Sequence, residues 1–314
     1  MKANCKLSII SPVYRNEDSL VELVKRCFVE AEKYYDEVEY ILVNDGSPDG
    51  SLAVLRQIAQ SDRRVKVVSL ARNFGQHTAM MAGFGFCTGN HVFLIDADLE
   101  EDPAYLGLML EEMSKGYEIV VGTRTNRRHS LFRRAAAKAY TYIYRLLCDD
   151  PVLDNVTNMR LMTQKYVSYL LAFTERPFVG GFTAWLGMPI GQIPVKWMDR
   201  TRKSGFTFRK LLGHARAGII GFSSRLLRLA SVFGVLVSCL AGLFLIFLLV
   251  TYLLNGSKVP GYFSIAGFLA LMTGIQCIFL GVIGEYIGEI FDRVKNRPNF
   301  LIYETINIDP PCAE

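Results

Sequence analysis

The feature that most restricts the fold of this chain is a strict alternation along its first 125 residues. Short apolar runs at Leu7–Pro12, Val38–Val43, Val65–Leu70, His91–Ile95 and Ile119–Gly122 are separated by segments of helical spacing. Those segments are Ser19–Tyr35, Ser51–Ala59, Gln76–Phe86 and Pro103–Lys115. Runs that are apolar on both sides read as strands buried between two helical layers, so the alternation predicts an α/β domain built on a mostly parallel sheet. Ligands of such sheets bind beyond the carboxyl ends of the strands. Each run here delivers polar or charged residues to that edge. In order they are Pro12–Glu17, Asn44–Gly50, Arg72–Gly75, Asp96–Glu100 and Thr123-Arg124.

The glycine-rich piece Gly83–Gly89 lacks dinucleotide-binding spacing, and Gly89 is expected as a helix stop before the fourth strand. No phosphate-cradling Walker motif is present.

Apolar residues make up 51% of the chain, and the excess sits near the C-terminus. From Leu229 to Gly284 the only charged side chain is Lys258. Two apolar runs, Leu229–Leu254 and Tyr262–Ile283, are each long enough to cross a bilayer as a helix, which takes about 20 residues. Turn residues Asn255–Gly261 separate them, so a two-helix transmembrane hairpin is expected. Arg225 and Arg228 precede the first span, and Arg293, Lys295 and Arg297 follow the second. The excess of positive charge at the outer ends predicts both termini in the cytoplasm. The apolar start of the chain is too short for a signal peptide and leads straight into a strand. The seven cysteines show no paired spacing, which points to reduced thiols.

Residues 124–148 hold seven basic side chains and no acid, with Phe132, Ala136, Tyr140, Ile143 and Leu147 at helical spacing. A second such segment spans Phe208–Leu227. Each fits either a surface helix packed on the domain or a basic amphipathic helix on an anionic membrane. Adjacency to the hairpin favours the membrane interface. No nucleic-acid partner is expected.

Asp96 and Asp98 end the fourth run. An extended strand end would put both carboxylates, and Glu100 after them, on one side. That is a hard-oxygen site for Mg²⁺ or Mn²⁺, of the kind that stabilises a departing diphosphate. Asp45 fits two roles, an acceptor for a base or ribose and an Asx-turn residue. Arg72 and Arg124 fit phosphate clamps or salt bridges to the nearby carboxylates.

These pieces carry a resemblance. Pro12-Val13-Tyr14, Val43–Ser47, Arg72–Gly75, Asp96–Leu99, Arg160-Leu161-Met162 and Gly281–Gly288 resemble glycosyltransferase family 2, and within it the polyprenyl-phosphate glycosyltransferases. The resemblance covers nearly the whole chain. It implies a Rossmann-like GT-A fold, a nucleoside-diphosphate sugar donor, a divalent metal, a polyprenyl phosphate acceptor and inverting transfer of one sugar. UDP-glucose is the default donor, with UDP-amino or UDP-N-acetyl sugars next. It further implies that Pro12, Tyr14, Glu17, Asp45 and Arg72 line the nucleotide-sugar pocket, and that Asp96 contacts the donor. Asp98 and Glu100 would hold the metal. Arg124, Arg127, Arg160, Arg200 and Lys203 would handle phosphates and acceptor. Asp96, Asp98, Asn158 and Arg160 form the expected catalytic set. Homo-oligomers, a bacterial inner membrane and a lipid-linked monosaccharide for cell-envelope glycans are implied as well.

On this reading the chain divides into a catalytic domain at 1–205, with an interface helix at about 130–147, and an amphipathic helix at 206–228. Membrane helices follow at about 229–254 and 262–283, then a cytoplasmic tail at 285–314. Three departures stand out. Arg15-Asn16-Glu17 shifts the acidic residue of the first loop, Asn158 replaces an aspartate sometimes proposed as base, and Lys203 or Arg202 substitutes for a lysine after Ser204. A dianionic phosphate acceptor needs no base, so Asn158 is expected to position acceptor or sugar. A processive synthase is disfavoured because Gln192–Trp197 lacks the Q-x-x-R-W spacing. A scaffold that kept the fold without activity is the alternative from another class.

Overall fold

The computed structural model describes residues 3–124, 156–172, 186–196, 261–295 and 298–308, with scattered helical positions between 232 and 254. The described chain splits into two compact units.

The first unit holds an eight-stranded sheet ordered β7-β5-β6-β4-β1-β2-β3-β8. Its strands are β1 (Ala3–Val13), β2 (Tyr35–Asn44), β3 (Val65–Leu70), β4 (His91–Leu94), β5 (Ile119–Arg124), β6 (Val156–Thr163), β7 (Ile190–Val195) and β8 (Ile302–Ile306). Between them run α1 (Leu20–Ala31), α2 (Ser51–Ser61), α3 (Gln76–Phe84), a 3-10 turn at Pro103–Tyr105, α4 (Leu106–Met113) and α5 (Gln164–Ala172). The five expected strands and four expected helices all form, with ends moved by a few residues.

Strands β1 to β4 pair in parallel, β3 next to β2 next to β1 next to β4. The sheet is mixed, because β6 runs antiparallel between β4 and β5, and β8 antiparallel along β3. Neither reversal was expected from the sequence. β6 reads Val-Thr-Asn-Met-Arg-Leu-Met-Thr, too polar for a two-sided core strand. β7 is an edge strand, which is why Pro194 is tolerated there without an N–H.

Alternation decides which face each side chain takes. Leu7, Ile9 and Val13 of β1, with Tyr40 and Leu42 of β2 and Val65 and Val67 of β3, pack under α1, α2 and α4. Leu20, Leu23, Cys27, Leu55 and Met109 fill that layer from the helices. The other face is covered by α3 and α5.

Gly89 is not a helix stop, since α3 ends at Phe84. A Cβ at Gly89 would lie 2.6 Å from the Ser8 main-chain nitrogen, so this glycine lets the loop lie directly on β1.

The tail expected at 285–314 is also corrected. β8 belongs to the sheet, pairing Ser69 with Glu304 and Leu70 with Ile302. Asn307 Nδ2 donates to the Ala59 and Val65 carbonyls, and Arg56 binds Glu304 through two nitrogens. Strand β3 would otherwise be an open edge, and the returning segment covers it.

The second unit contains α6 (Tyr262–Val294), 33 residues long. Helical positions between 232 and 254 pair with it in opposite order, Phe233 on Phe279 and Phe244 on Phe268, as two antiparallel helices must. Leu236, Leu240, Leu243, Ile265, Leu269, Leu280 and Ile287 are exposed. Counting only the described side chains, no helix is long and apolar enough to cross a membrane. The interface helices expected at 130–147 and 206–228 lie outside the described residues.

Candidate active site

Parallel β1 to β4 bring their carboxyl ends to one edge, and the antiparallel β6 adds its start there, because Leu94 pairs with Arg160. The loops after these strands are tied to one another. Asp45, 2% exposed, accepts the main-chain N–H of Phe74 at 2.7 Å on one carboxylate oxygen and that of Gly75 at 3.0 Å on the other. It is thus a clamp between the β2 and β3 loops. Burial raises its carboxyl above the usual range, against the two main-chain bonds. Gly46 has φ +56°, and a Cβ there would meet the Arg72 carbonyl carbon at 2.4 Å, so only glycine lets the two loops touch.

The first loop is held as firmly. Arg15, at φ 59°, donates its N–H to Ser47 Oγ at 2.8 Å. Glu17 Oε2 accepts the Gly50 N–H at 2.6 Å, at the start of α2, where a carboxylate also meets the positive end of the helix. Its carboxylate therefore joins two loops. Pro12 is buried in β1, whereas Tyr14 is 42% exposed with the Arg15 guanidinium 5.6 Å from its ring centroid. Arg72 is exposed and stacks on Phe74 at 4.2 Å. Tyr14 and Arg72 are thus the exposed members of the expected nucleotide-sugar set on these three loops.

The acidic loop does not continue the strand. β4 stops at Leu94, residues 97–99 form a turn, and Leu99 has φ 59°. The expected one-sided row of Asp96, Asp98 and Glu100 is therefore replaced by a turn in which Asp98 Oδ1 accepts the Glu100 N–H at 3.1 Å. Ser19 Oγ donates to the Ala97 carbonyl at 2.6 Å and ties this turn to α1. Among the described residues no group of three or more His, Cys, Asp or Glu side chains is arranged to hold a metal ion.

Asp96 is half-buried and receives two side-chain amides, Gln76 Nε2 at 2.8 Å on Oδ1 and Asn158 Nδ2 at 2.9 Å on Oδ2. Burial raises its carboxyl well above the ordinary value, and the Asp98 charge adds to that, against the two amides and Arg160. Glu101 lies deeper, 1% exposed, with Oε1 accepting the Met159 N–H at 3.3 Å. Burial, then the Asp96 charge, raises its carboxyl too. Arg160 is 3% exposed and donates to the Asn158 carbonyl at 3.1 Å and the Thr157 carbonyl at 3.3 Å. In this conformation it supports the start of β6 and offsets the charge of Asp96 and Glu101.

Arg124 is half-buried at the end of β5. Arg127, Arg200 and Lys203 lie outside the described residues. Sequence reasoning missed Gln76, Ser19, Ser47 and Glu101. A glutamine opening a helix carries no local mark of function, although its place just after the Arg72–Gly75 loop was a usable signal.

A family model described as Glycosyl transferase family 2 matches residues 8–171. An uncharacterized glycosyltransferase of Bacillus subtilis is 33% identical, the match covering 98% of this chain and 97% of that protein. An undecaprenyl-phosphate 4-deoxy-4-formamido-L-arabinose transferase of Edwardsiella ictaluri is 31% identical over 98% of this chain and 96% of its own. A bactoprenol glucosyl transferase of Shigella phage SfII is 31% identical over 97% and 100%. With a mixed α/β sheet that gathers its polar loops and acidic turn on one edge, this chain belongs to glycosyltransferase family 2, and the sheet is its GT-A domain.

Proposed function

We propose that this protein transfers a single sugar, with inversion, from a nucleoside-diphosphate sugar to a polyprenyl phosphate. The observation that carries the reading is that relatives named for undecaprenyl phosphate and bactoprenol align with nearly the whole chain, α6 included. A domain alone would align over the sheet and leave the C-terminal helices unmatched.

The site geometry is consistent with direct displacement. The acceptor phosphate oxygen attacks the anomeric carbon, the bond from that carbon to the diphosphate breaks, and a nucleoside diphosphate leaves. A phosphomonoester is largely dianionic at neutral pH, with a second pKa of about 6, so it attacks without a general base. The absence of an aspartate at 158 is then no obstacle. What the protein supplies is position and charge neutralisation. Tyr14 and Arg72 are exposed beside the Asp45 clamp, where a nucleoside and its phosphates would lie.

The donor set fits a divalent ion. Asp98, half-buried on the acidic turn, offers hard oxygens at the edge, while Glu100 is buried behind it, so the ion would be held by Asp98 and completed by water and a diphosphate, as suits Mg²⁺ or Mn²⁺. Such an ion would stabilise the charge of the departing diphosphate.

The described helical positions between 232 and 254, paired with α6 (Tyr262–Val294), fit a membrane hairpin, with exposed Leu, Ile and Phe side chains that lipid would cover. The flanking arginines and lysines favour the cytoplasmic side of a bacterial inner membrane for both termini and the catalytic domain. Assembly of several copies, as the family resemblance implies, is read from the mass of the detergent-solubilised particle.

The test is transfer by purified protein in detergent, with Mg²⁺ or Mn²⁺, undecaprenyl phosphate and a panel of nucleotide-sugars. A lipid-linked monosaccharide seen by mass spectrometry, and lost in Asp98→Ala, is the expected result. No product from any donor, with the fold intact, would move the reading to a scaffold.

A further inference from the structure

Asp96 carries one side-chain amide on each carboxylate oxygen. The two amides come from distant places in the chain, Gln76 from the first residue of α3 and Asn158 from the start of β6. An ionised carboxylate only accepts hydrogen bonds. Each amide must therefore turn its nitrogen to Asp96 and its oxygen away from it. Among the described residues, neither Gln76 Oε1 nor Asn158 Oδ1 accepts a hydrogen bond. Gln76 is exposed and Asn158 half-buried, so these oxygens flank the acidic turn and are open to a ligand.

Two oriented acceptor oxygens beside a carboxylate suit a narrow class of ligand groups. Phosphate oxygens are acceptors and would be repelled. Hydroxyl and amino groups are donors and would be held. We infer that Gln76 and Asn158 read hydroxyl or amino groups of the donor sugar through their amide oxygens, with Asp96 fixing which end of each amide faces the ligand. The inference rests on the nucleotide-sugar reading above and narrows it. A neutral or amino sugar fits this edge, and a sugar carrying a carboxylate does not, since it would face Asp96 and two acceptors. The same logic gives Asn158 a reason to be an amide. An aspartate there would place a second carboxylate 2.9 Å from Asp96, where like charges raise the pKa of at least one member.

The experiment is a cycle between side chain and substrate hydroxyl, using the full-length protein. Wild type, Gln76→Ala and Asn158→Ala are assayed with the working donor and with its monodeoxy analogues, one hydroxyl removed at a time. Wild type should disfavour at least one analogue by about tenfold in kcat/KM, the worth of one hydrogen bond. That preference should collapse toward unity in one or both variants, while affinity for the nucleoside diphosphate stays at the wild-type value. Ratios are compared within each enzyme, so a general loss of rate cancels. Where alanine prevents folding, Gln76→Met and Asn158→Leu keep the side-chain bulk and remove the acceptor.

The inference is overturned if every variant keeps the wild-type preference for every hydroxyl, or if nucleoside diphosphate binding falls as far as donor binding. A wild-type protein that turns nothing over defeats the transfer reading instead. Calorimetric binding of donor and deoxy donors then carries the same comparison, so the two failures are told apart.

Discussion

Asp45 and Phe74 are 29 residues apart, yet the buried carboxylate of one accepts the main-chain N–H of the other at 2.7 Å. The second carboxylate oxygen takes the next N–H, from Gly75, at 3.0 Å. One side chain thereby sets the spacing of two loops on the substrate edge.

Replacing Asp45 should loosen that edge. Asp45→Ala leaves two N–H groups without their acceptor, at a cost of about 1–3 kcal/mol each when buried. Stability should drop by about that amount, and KM for the nucleotide-sugar should rise more than kcat falls. Asp45→Asn retains one acceptor oxygen and should fall between wild type and alanine. Thermal unfolding together with steady-state kinetics decides this, and a variant with unchanged stability and KM would refute the clamp.

Metal removal should silence transfer. Chelation should abolish turnover, and Mg²⁺ or Mn²⁺ should restore it. Asp98→Asn should lower kcat by at least about a hundredfold, in line with losing a charge-stabilising group, while leaving the unfolding temperature near that of wild type. Full activity in excess chelator would rule the ion out.

Glu39 gives a pH prediction away from the site. It is 3% exposed and meets Lys6 at 2.9 Å, Lys66 at 2.8 Å, Ser8 Oγ at 2.5 Å and the Thr88 N–H at 2.7 Å. Burial opposes ionisation, but these partners outweigh it and hold the carboxyl down at about 2, from an ordinary value of 4.5. A depressed carboxyl stabilises the fold above its unfolded pKa, and that contribution fades as pH falls from 4.5 toward 2. Glu39→Gln should therefore lose about 3 kcal/mol at neutral pH. The gap from wild type should narrow on acidification through that window. Unfolding of both proteins across the pH range is the check, and a gap that widens toward acid would contradict the assignment.

Asn307 tests the returning strand. Its amide caps two carbonyls, and its φ of 57° suits asparagine or glycine. Asn307→Ala should lose about 2 kcal/mol from hydrogen bonds and backbone strain together, and Asn307→Gly should recover the strain part. Equal losses in the two variants would show that the backbone is not strained there.

Much of the fold was legible because its cause is local. Strands β1 to β5 each carry a short run that is apolar on both faces, such as Tyr40–Val43 of β2 and Val92–Leu94 of β4, and such a run is visible among a few neighbouring residues. Strands β6 and β8 are half-polar, and their place is decided by partners far along the chain: β4 and β5 for Val156–Thr163, β3 for Ile302–Ile306. The acidic pair Asp96 and Asp98 could be found from its position after a strand, but its geometry could not. The reversal at Leu99, with φ 59°, is held by contacts such as Ser19 to Ala97 that no spacing rule encodes. The bond from the Gly50 N–H to the Glu17 carboxylate is another pairing that no spacing rule encodes.

The order of the first five strands and four helices, the polar edge and the apolar C-terminal helical segments were determined by the sequence alone, because burial and periodicity act over a few neighbouring residues. The tertiary structure alone decided that Asn158 and Gln76 meet on Asp96, that Asp45 is a clamp and that the chain returns to cover β3. Those are pairings between residues 20 to 250 positions apart, and a hydrogen bond selects its partner by distance and direction in space, on which local periodicity is silent.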